Sequence, residues 1–108
     1  MKPNKYQEEA KKFINPELTG NDLLINGVMG LCGESGEVID LVKKHLAQGH
    51  PLSKERMVEE LGDVAWYLAE LATYLEVPLE EILDKNIEKL SHRFPNGFSK
   101  EASLHREG

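Results

Sequence analysis

Cysteine is nearly absent from this chain, and long apolar runs are missing altogether. The one cysteine among 108 residues, Cys32, has no partner for an internal disulfide. It lies in an apolar stretch, which predicts a buried core thiol rather than a nucleophile. No hydrophobic run approaches the roughly 20 residues that a membrane span needs. The opening Met1-Lys-Pro-Asn-Lys-Tyr-Gln-Glu-Glu is polar, so no signal peptide is expected. A cytoplasmic protein without a membrane partner is the resulting expectation. Positive charge is also scarce, with 13 Lys and Arg against 19 Asp and Glu and a formal net charge of −6. That balance excludes the basic face on which a nucleic-acid polymer binds. It leaves room for a phosphorylated small molecule, because a metal ion inverts the local field. Strand-like alternation, internal repeats and low-complexity tracts are missing too.

What is present reads as helix from end to end. The expected fold is all-α, a bundle of about four helices in one domain over residues 1–108, with 98–108 an irregular tail. Asn4 is placed to cap a first helix, with Gln7 reaching back from three residues on. Tyr6, Ala10, Phe13 and Ile14 recur on it at helical spacing, and Pro16 stops it. Asn21 or Asp22 caps a second helix, which Gly49 and Pro51 end. Ser53 caps a third, running to about Glu76. Pro78 opens a fourth at its first position, and Pro95-Asn96-Gly97 closes it. The third helix is apolar on more than one side, since Trp66, Tyr67 and Tyr74 lie off its Leu61–Leu68–Leu75 stripe. Burial on two sides in so short a chain predicts a second subunit as cover, hence a homo-oligomer with this helix near the interface.

Four carboxylates stand out. Glu34 and Glu37 are three apart on the second helix, and Glu60 and Asp63 are three apart on the third. Residues at that spacing share a helix face. Successive helices joined by a short turn pack antiparallel, which can bring the pairs face to face. A solvated acidic surface is the ordinary account of one such pair. Here Glu34 stands beside Val38 and Leu41, and Asp63 is one turn from Tyr67. Acids at the edge of apolar surface need a partner or a metal. An all-carboxylate set suits Mg²⁺, with Mn²⁺ as a substitute, whereas zinc favours His or Cys. His45 and His50 are not at zinc spacing, and all four histidines read as surface residues. The second helix also carries Gly27, Gly30, Gly33 and Gly36. Each costs about 1 kcal/mol against alanine in a helix interior. Close helix packing, a break near Gly27–Gly30, or room for a ligand beside the acids would each account for them. Asn86, Lys89 and Arg93 share one face of the fourth helix. That face suits phosphate oxygens, although cations near a helix C-terminus are favoured in any case. Trp66, Tyr67, Phe94 and Phe98 could stack on a base, but core packing explains each.

The blocks Gly30-Leu-Cys-Gly-Glu-Ser-Gly-Glu37, Glu59-Glu-Leu-Gly-Asp-Val-Ala-Trp-Tyr-Leu68 and Asn86-Ile-Glu-Lys-Leu-Ser-His-Arg-Phe-Pro-Asn-Gly-Phe98 resemble the MazG-like nucleotide pyrophosphohydrolases, of the all-α NTP pyrophosphatase superfamily. The resemblance runs over about residues 5 to 98. It implies a Mg²⁺-dependent enzyme that cleaves an NTP or dNTP to the monophosphate and pyrophosphate, with nucleotide-pool house-cleaning as one role. It implies Glu34, Glu37, Glu60 and Asp63 as catalytic metal ligands, and Asn86, Lys89 and Arg93 as phosphate contacts. A homodimer or homotetramer follows from the same resemblance. Three rivals are a phosphoribosyl-ATP pyrophosphohydrolase, a non-catalytic nucleotide-binding helical dimer, and an iron-handling bundle. The Trp66-Tyr67 block, the intact acidic quartet and the absence of Glu-x-x-His pairs weigh against them in turn.

Overall fold

A computed structural model describes residues 1–105. Five helices occur among them: α1 (Pro3–Lys11), α2 (Asn21–Gln48), α3 (Lys54–Tyr74), α4 (Leu79–Arg93) and the short α5 (Lys100–Leu104). The fold is all-α, as the periodicity requires. No helix among the described residues is long and apolar enough to cross a membrane. The long α2 and α3 pack on each other, α1 lies on α3, and the start of α4 meets both α1 and α3.

The local signals hold at the ends marked by Ser53 and Gly49, whereas α2 is capped by Gly20, with no side-chain bond, rather than by Asn21 or Asp22. Ser53 Oγ accepts from the Arg56 amide at 3.2 Å and caps α3. Gly49, at φ 73°, takes the left-handed conformation that stops α2. Pro78 precedes α4 as its cap rather than opening it. At the first helix the expectation fails instructively. Pro3 stands in the first turn of α1 and Lys2 is its cap, with no side-chain bond. Asn4 and Gln7 serve another helix. Asn4 Oδ1 accepts from the Glu80 amide at 3.0 Å, and Gln7 Oε1 accepts from the Leu79 amide at 2.7 Å. Gln7 Nε2 also donates to the Val77 carbonyl at 2.9 Å. Two orphan donors at the start of α4 are thus satisfied from α1, and caps of this kind are worth about 1 kcal/mol each. The helix also ends at Lys11, well before Pro16, so Phe13 lies beyond it and is exposed.

The fully buried apolar core is small: Ala10, Ala69, Ala72 and Leu79, with Tyr6, Trp66, Leu68, Val77 and Ile82 packed around it. Trp66 and Tyr67 are half-buried within the chain. Trp66 Nε1 donates to the Ala10 carbonyl at 3.1 Å, and its ring meets that of Tyr67 edge-on at 4.9 Å. Uncovered apolar surface remains on three helices, with Val58 and Leu61 exposed on α3 and Leu75 at its end. On α2, Ile25, Met29, Ile39 and Leu46 are exposed, and Cys32 stands exposed among them rather than in the core. On α4, Leu83 and Ile87 are exposed. The radius of gyration is 17.0 Å, against about 13 Å for a closely packed chain of this length. The tail differs from expectation as well. Ser99 caps α5 by accepting from the Ala102 amide at 3.0 Å, and Phe98 is 75% exposed, against the Phe94 ring at 5.4 Å. Residues 106–108 of the expected irregular tail lie outside the described residues.

Candidate active site

The site is built on the α2–α3 seam, and glycine sets how close those helices come. A Cβ on Gly30 would fall inside the Tyr67 ring, and one on Gly27 would lie 2.7 Å from a Leu71 methyl. These two glycines are therefore packing residues, and α2 runs through them unbroken. Gly33 and Gly36 are different. Nothing comes within 4 Å of a Cβ at either position. The packing reading therefore holds at Gly27 and Gly30, while Gly33 and Gly36 face open space. Below the seam, Glu70 is 2% exposed and accepts from Asn26 Nδ2 at 3.0 Å. No sequence pattern singled out that pair. It ties α2 to α3 in one antiparallel register: Asn26 to Glu70, Gly27 to Leu71, Gly30 to Tyr67.

Two turns along the same seam come the acids. Glu34, Glu60 and Asp63 each place one carboxylate oxygen so that all three lie within 4.8 Å of one another. Glu34 and Glu60 are half-buried and Asp63 is exposed. Glu37 is exposed and stands outside this tight group, although its charge acts on Glu34. Asn86 and Lys89 are exposed on α4, and neither is tied to the acids by a hydrogen bond or ion pair among the described residues. Arg93 is half-buried at the end of that helix.

Electrostatics identify the group as strained by its own charge. The Glu34 carboxyl is held above the usual carboxylate range, first by desolvation, then by its hydrogen bond with Glu60, then by the charges of Asp63, Glu60 and Glu37. Three hard oxygens held this close fit one divalent cation, which would relieve the repulsion. A consequence follows for the metal-free protein. Folded Glu34 keeps its proton to a higher pH than unfolded Glu34 does. Its contribution to stability is present below the unfolded carboxylate value, about 4.3, and is lost as pH rises through the raised folded value. Metal-free thermal midpoints of the wild type and of Glu34→Gln, followed from about pH 4 to about pH 7, should therefore diverge. The wild type is expected to fall relative to the variant as pH rises. Parallel curves would mean that the repulsion is not there.

Tyr6, read from sequence as a core position of α1, packs beside the core, and the pKa of its phenol is pushed up first by burial and then by the charge of Asp63. Apolar spacing placed its ring correctly and could not place its hydroxyl, because the approach of α1 to α3 is a tertiary fact.

Comparison with known proteins agrees with the geometry. Residues 26–98 match the model of the MazG nucleotide pyrophosphohydrolase domain. The Gene 37 protein of Mycobacterium phage L5 is 40% identical over 73 residues, a match covering 64% of this chain and 64% of the phage protein. The chain thus aligns with slightly under two thirds of that relative's length. No solved structure matches. The matched span contains the whole α2–α3 seam and its acidic group, and the chain belongs to the MazG nucleotide pyrophosphohydrolase domain family.

Proposed function

We propose that this chain is a Mg²⁺-dependent nucleoside triphosphate pyrophosphohydrolase, cleaving an NTP or dNTP to the monophosphate and pyrophosphate. The observation that carries this reading is the convergence of Glu34, Glu60 and Asp63 on one point of the seam, inside the family-matched span. A bound Mg²⁺ would offset phosphate charge and make a water acidic enough to attack at neutral pH. Glu34, Glu60 and Asp63 would hold that ion. Glu37, one turn on and exposed, or Glu34 itself would orient the attacking water and take its proton. The water oxygen would attack the α-phosphorus, and pyrophosphate would leave from the opposite side. The open backbone at Gly33 and Gly36 leaves space beside the acids for the substrate.

Asn86, Lys89 and Arg93 are the proposed phosphate contacts, offsetting charge on the leaving group. Neither Asn86 nor Lys89 has a hydrogen bond or ion pair among the described residues, which fits a site completed by a second copy. The exposed apolar faces of α2 and α4 and the open outline support a homodimer or homotetramer. The reading also takes residues 1–108 as one domain, cytoplasmic, acting on the nucleotide pool. The test is incubation with a panel of canonical and modified triphosphates, with and without Mg²⁺, detecting pyrophosphate separately from phosphate. Pyrophosphate released only with the metal is the expected result. Single phosphate would contradict cleavage between the α- and β-phosphates, and no product from any triphosphate would favour a binding module.

A further inference from the structure

Contacts along the α2–α3 seam are of two kinds. The first kind recurs along α2 at a period of one short turn. Leu71 sits over Gly27 and Tyr67 over Gly30, and the next glycine in that row is Gly33. Glu34 meets Glu60 and Asp63, and the next acid in that row is Glu37. Let α2 slide by one such step. Leu71 then meets Gly30, Tyr67 meets Gly33, and Glu37 takes the place of Glu34. The glycines and the acids are therefore alike in the two registers, and packed helices do shift past one another by a turn.

The bond between Asn26 and Glu70 is of the second kind, because it fits one register only. Among the described residues Glu70 is the only charged side chain that is fully buried. Asn26 Nδ2 reaches both of its carboxylate oxygens, at 3.0 and 3.4 Å. In the slipped register Met29 would stand where Asn26 stands. Methionine has no hydrogen to donate, so Glu70 would be buried without its partner, which is costly. An apolar side chain in place of Glu70 would pack with less desolvation. What the buried carboxylate supplies instead is discrimination between registers, the use for which single polar residues between helices are best attested.

We propose that the Asn26–Glu70 pair is a positioning device that locks α2 on α3 in the register supplying Glu34, and not Glu37, to the metal group. The inference rests on the functional reading above for the metal. It adds a pair two turns from the acids that touches neither metal nor substrate.

Asn26→Met combined with Met29→Asn moves the pin by one step and leaves the composition unchanged. Both positions are exposed, so the core is not disturbed. The probe is Mg²⁺ alone, titrated calorimetrically into the full chain, with Glu34→Gln and Glu37→Gln each made in both backgrounds. With the native pin, Glu34→Gln is expected to weaken Mg²⁺ binding by about tenfold or more, and Glu37→Gln by less. With the moved pin the order should reverse, which a merely stabilising role would not produce. An unchanged order overturns the inference and leaves the functional reading standing. Failure of the wild type to bind Mg²⁺ overturns the functional reading, and this inference with it. Glu70→Leu is the second variant. It strands only Asn26, which water can satisfy, so the fold should hold while the preference is lost. A requirement for Glu34 that persists undiminished there overturns the inference. The register is also read without metal. Nitroxides on the exposed Cys32 and on Val58→Cys, diluted with unlabelled chain, should move apart with the moved pin. The slip along the axis is about 4.5 Å, the rise of one such step. An unmoved distance overturns the inference.

Discussion

Asp63→Asn is expected to cut pyrophosphate release by about 10²–10³-fold, the scale on which one charge-stabilising group matters in a preorganised site. The amide keeps the shape of the side chain but carries no charge to hold a cation. It also replaces one of the two Asp63 carboxylate oxygens with an amide nitrogen that donates and cannot ligate a cation. Helical content should not change, because Asp63 is exposed and caps nothing. The stability effect has the opposite sign. Asp63 is one of the charges that hold the Glu34 carboxyl above its ordinary range. Its loss relieves like-charge repulsion, so the metal-free variant should melt slightly higher than the wild type. Mg²⁺ should then raise the wild-type midpoint more than the variant's. The measurements are pyrophosphate release, far-ultraviolet circular dichroism and melting with and without Mg²⁺. Unchanged turnover would take Asp63 out of the mechanism.

Gly30→Ala is expected to carry the largest stability effect of any single methyl added to this chain. The new Cβ would fall inside the Tyr67 ring, and that ring is already set edge-on against Trp66. Overpacking of this kind costs about 1–3 kcal/mol, while alanine recovers about 1 kcal/mol of helix propensity. A net loss of up to about 2 kcal/mol should lower the melting midpoint by roughly 4–8 °C per kcal/mol in a chain of this size. Gly33→Ala is the matched control. Nothing lies within 4 Å of its added methyl, so propensity alone should stabilise it by up to about 1 kcal/mol. A midpoint that rises for both variants would mean that the Tyr67 ring moves aside freely and that the seam is loosely held. A midpoint that falls for both would mean that the strip at Gly33 is covered in solution.

Much of this site is legible along the chain because its parts are local. The spacing of Glu34 to Glu37 and of Glu60 to Asp63 fixes which acids share a helix face, whatever the helices pack against. Ser53 caps α3 with its own side chain, and Gly49 ends α2 through its own backbone freedom. Where a side chain had a choice of distant partners, local reading went astray. Asn4 and Gln7 have the pattern of a capping box for α1 and instead cap α4, because the tertiary fold delivers the Leu79 and Glu80 amides to them. Trp66 and Tyr67, which lie off the main stripe of α3, find part of their cover within the chain, at α1 and at Gly30. Cys32 has apolar neighbours in sequence, but it lies on the face of α2 turned away from α3.

The sequence by itself determined that this protein is helical, that its acids come in two matched pairs, and that oxygen ligands would favour a hard divalent cation. Those conclusions depend on period, cap chemistry and donor type, which are properties of short segments. Only the tertiary structure decided which acids meet. The close approach at Gly27 and Gly30, with the Asn26–Glu70 bond, sets the register of α2 against α3. That register joins Glu34 to Glu60 and Asp63 and leaves Glu37 just outside them. The seating of α1 on α3 is fixed by the Trp66 hydrogen bond to Ala10 and packs Tyr6 beside the core. Neither relation is encoded at any one position, because each depends on how closely two helix surfaces can fit.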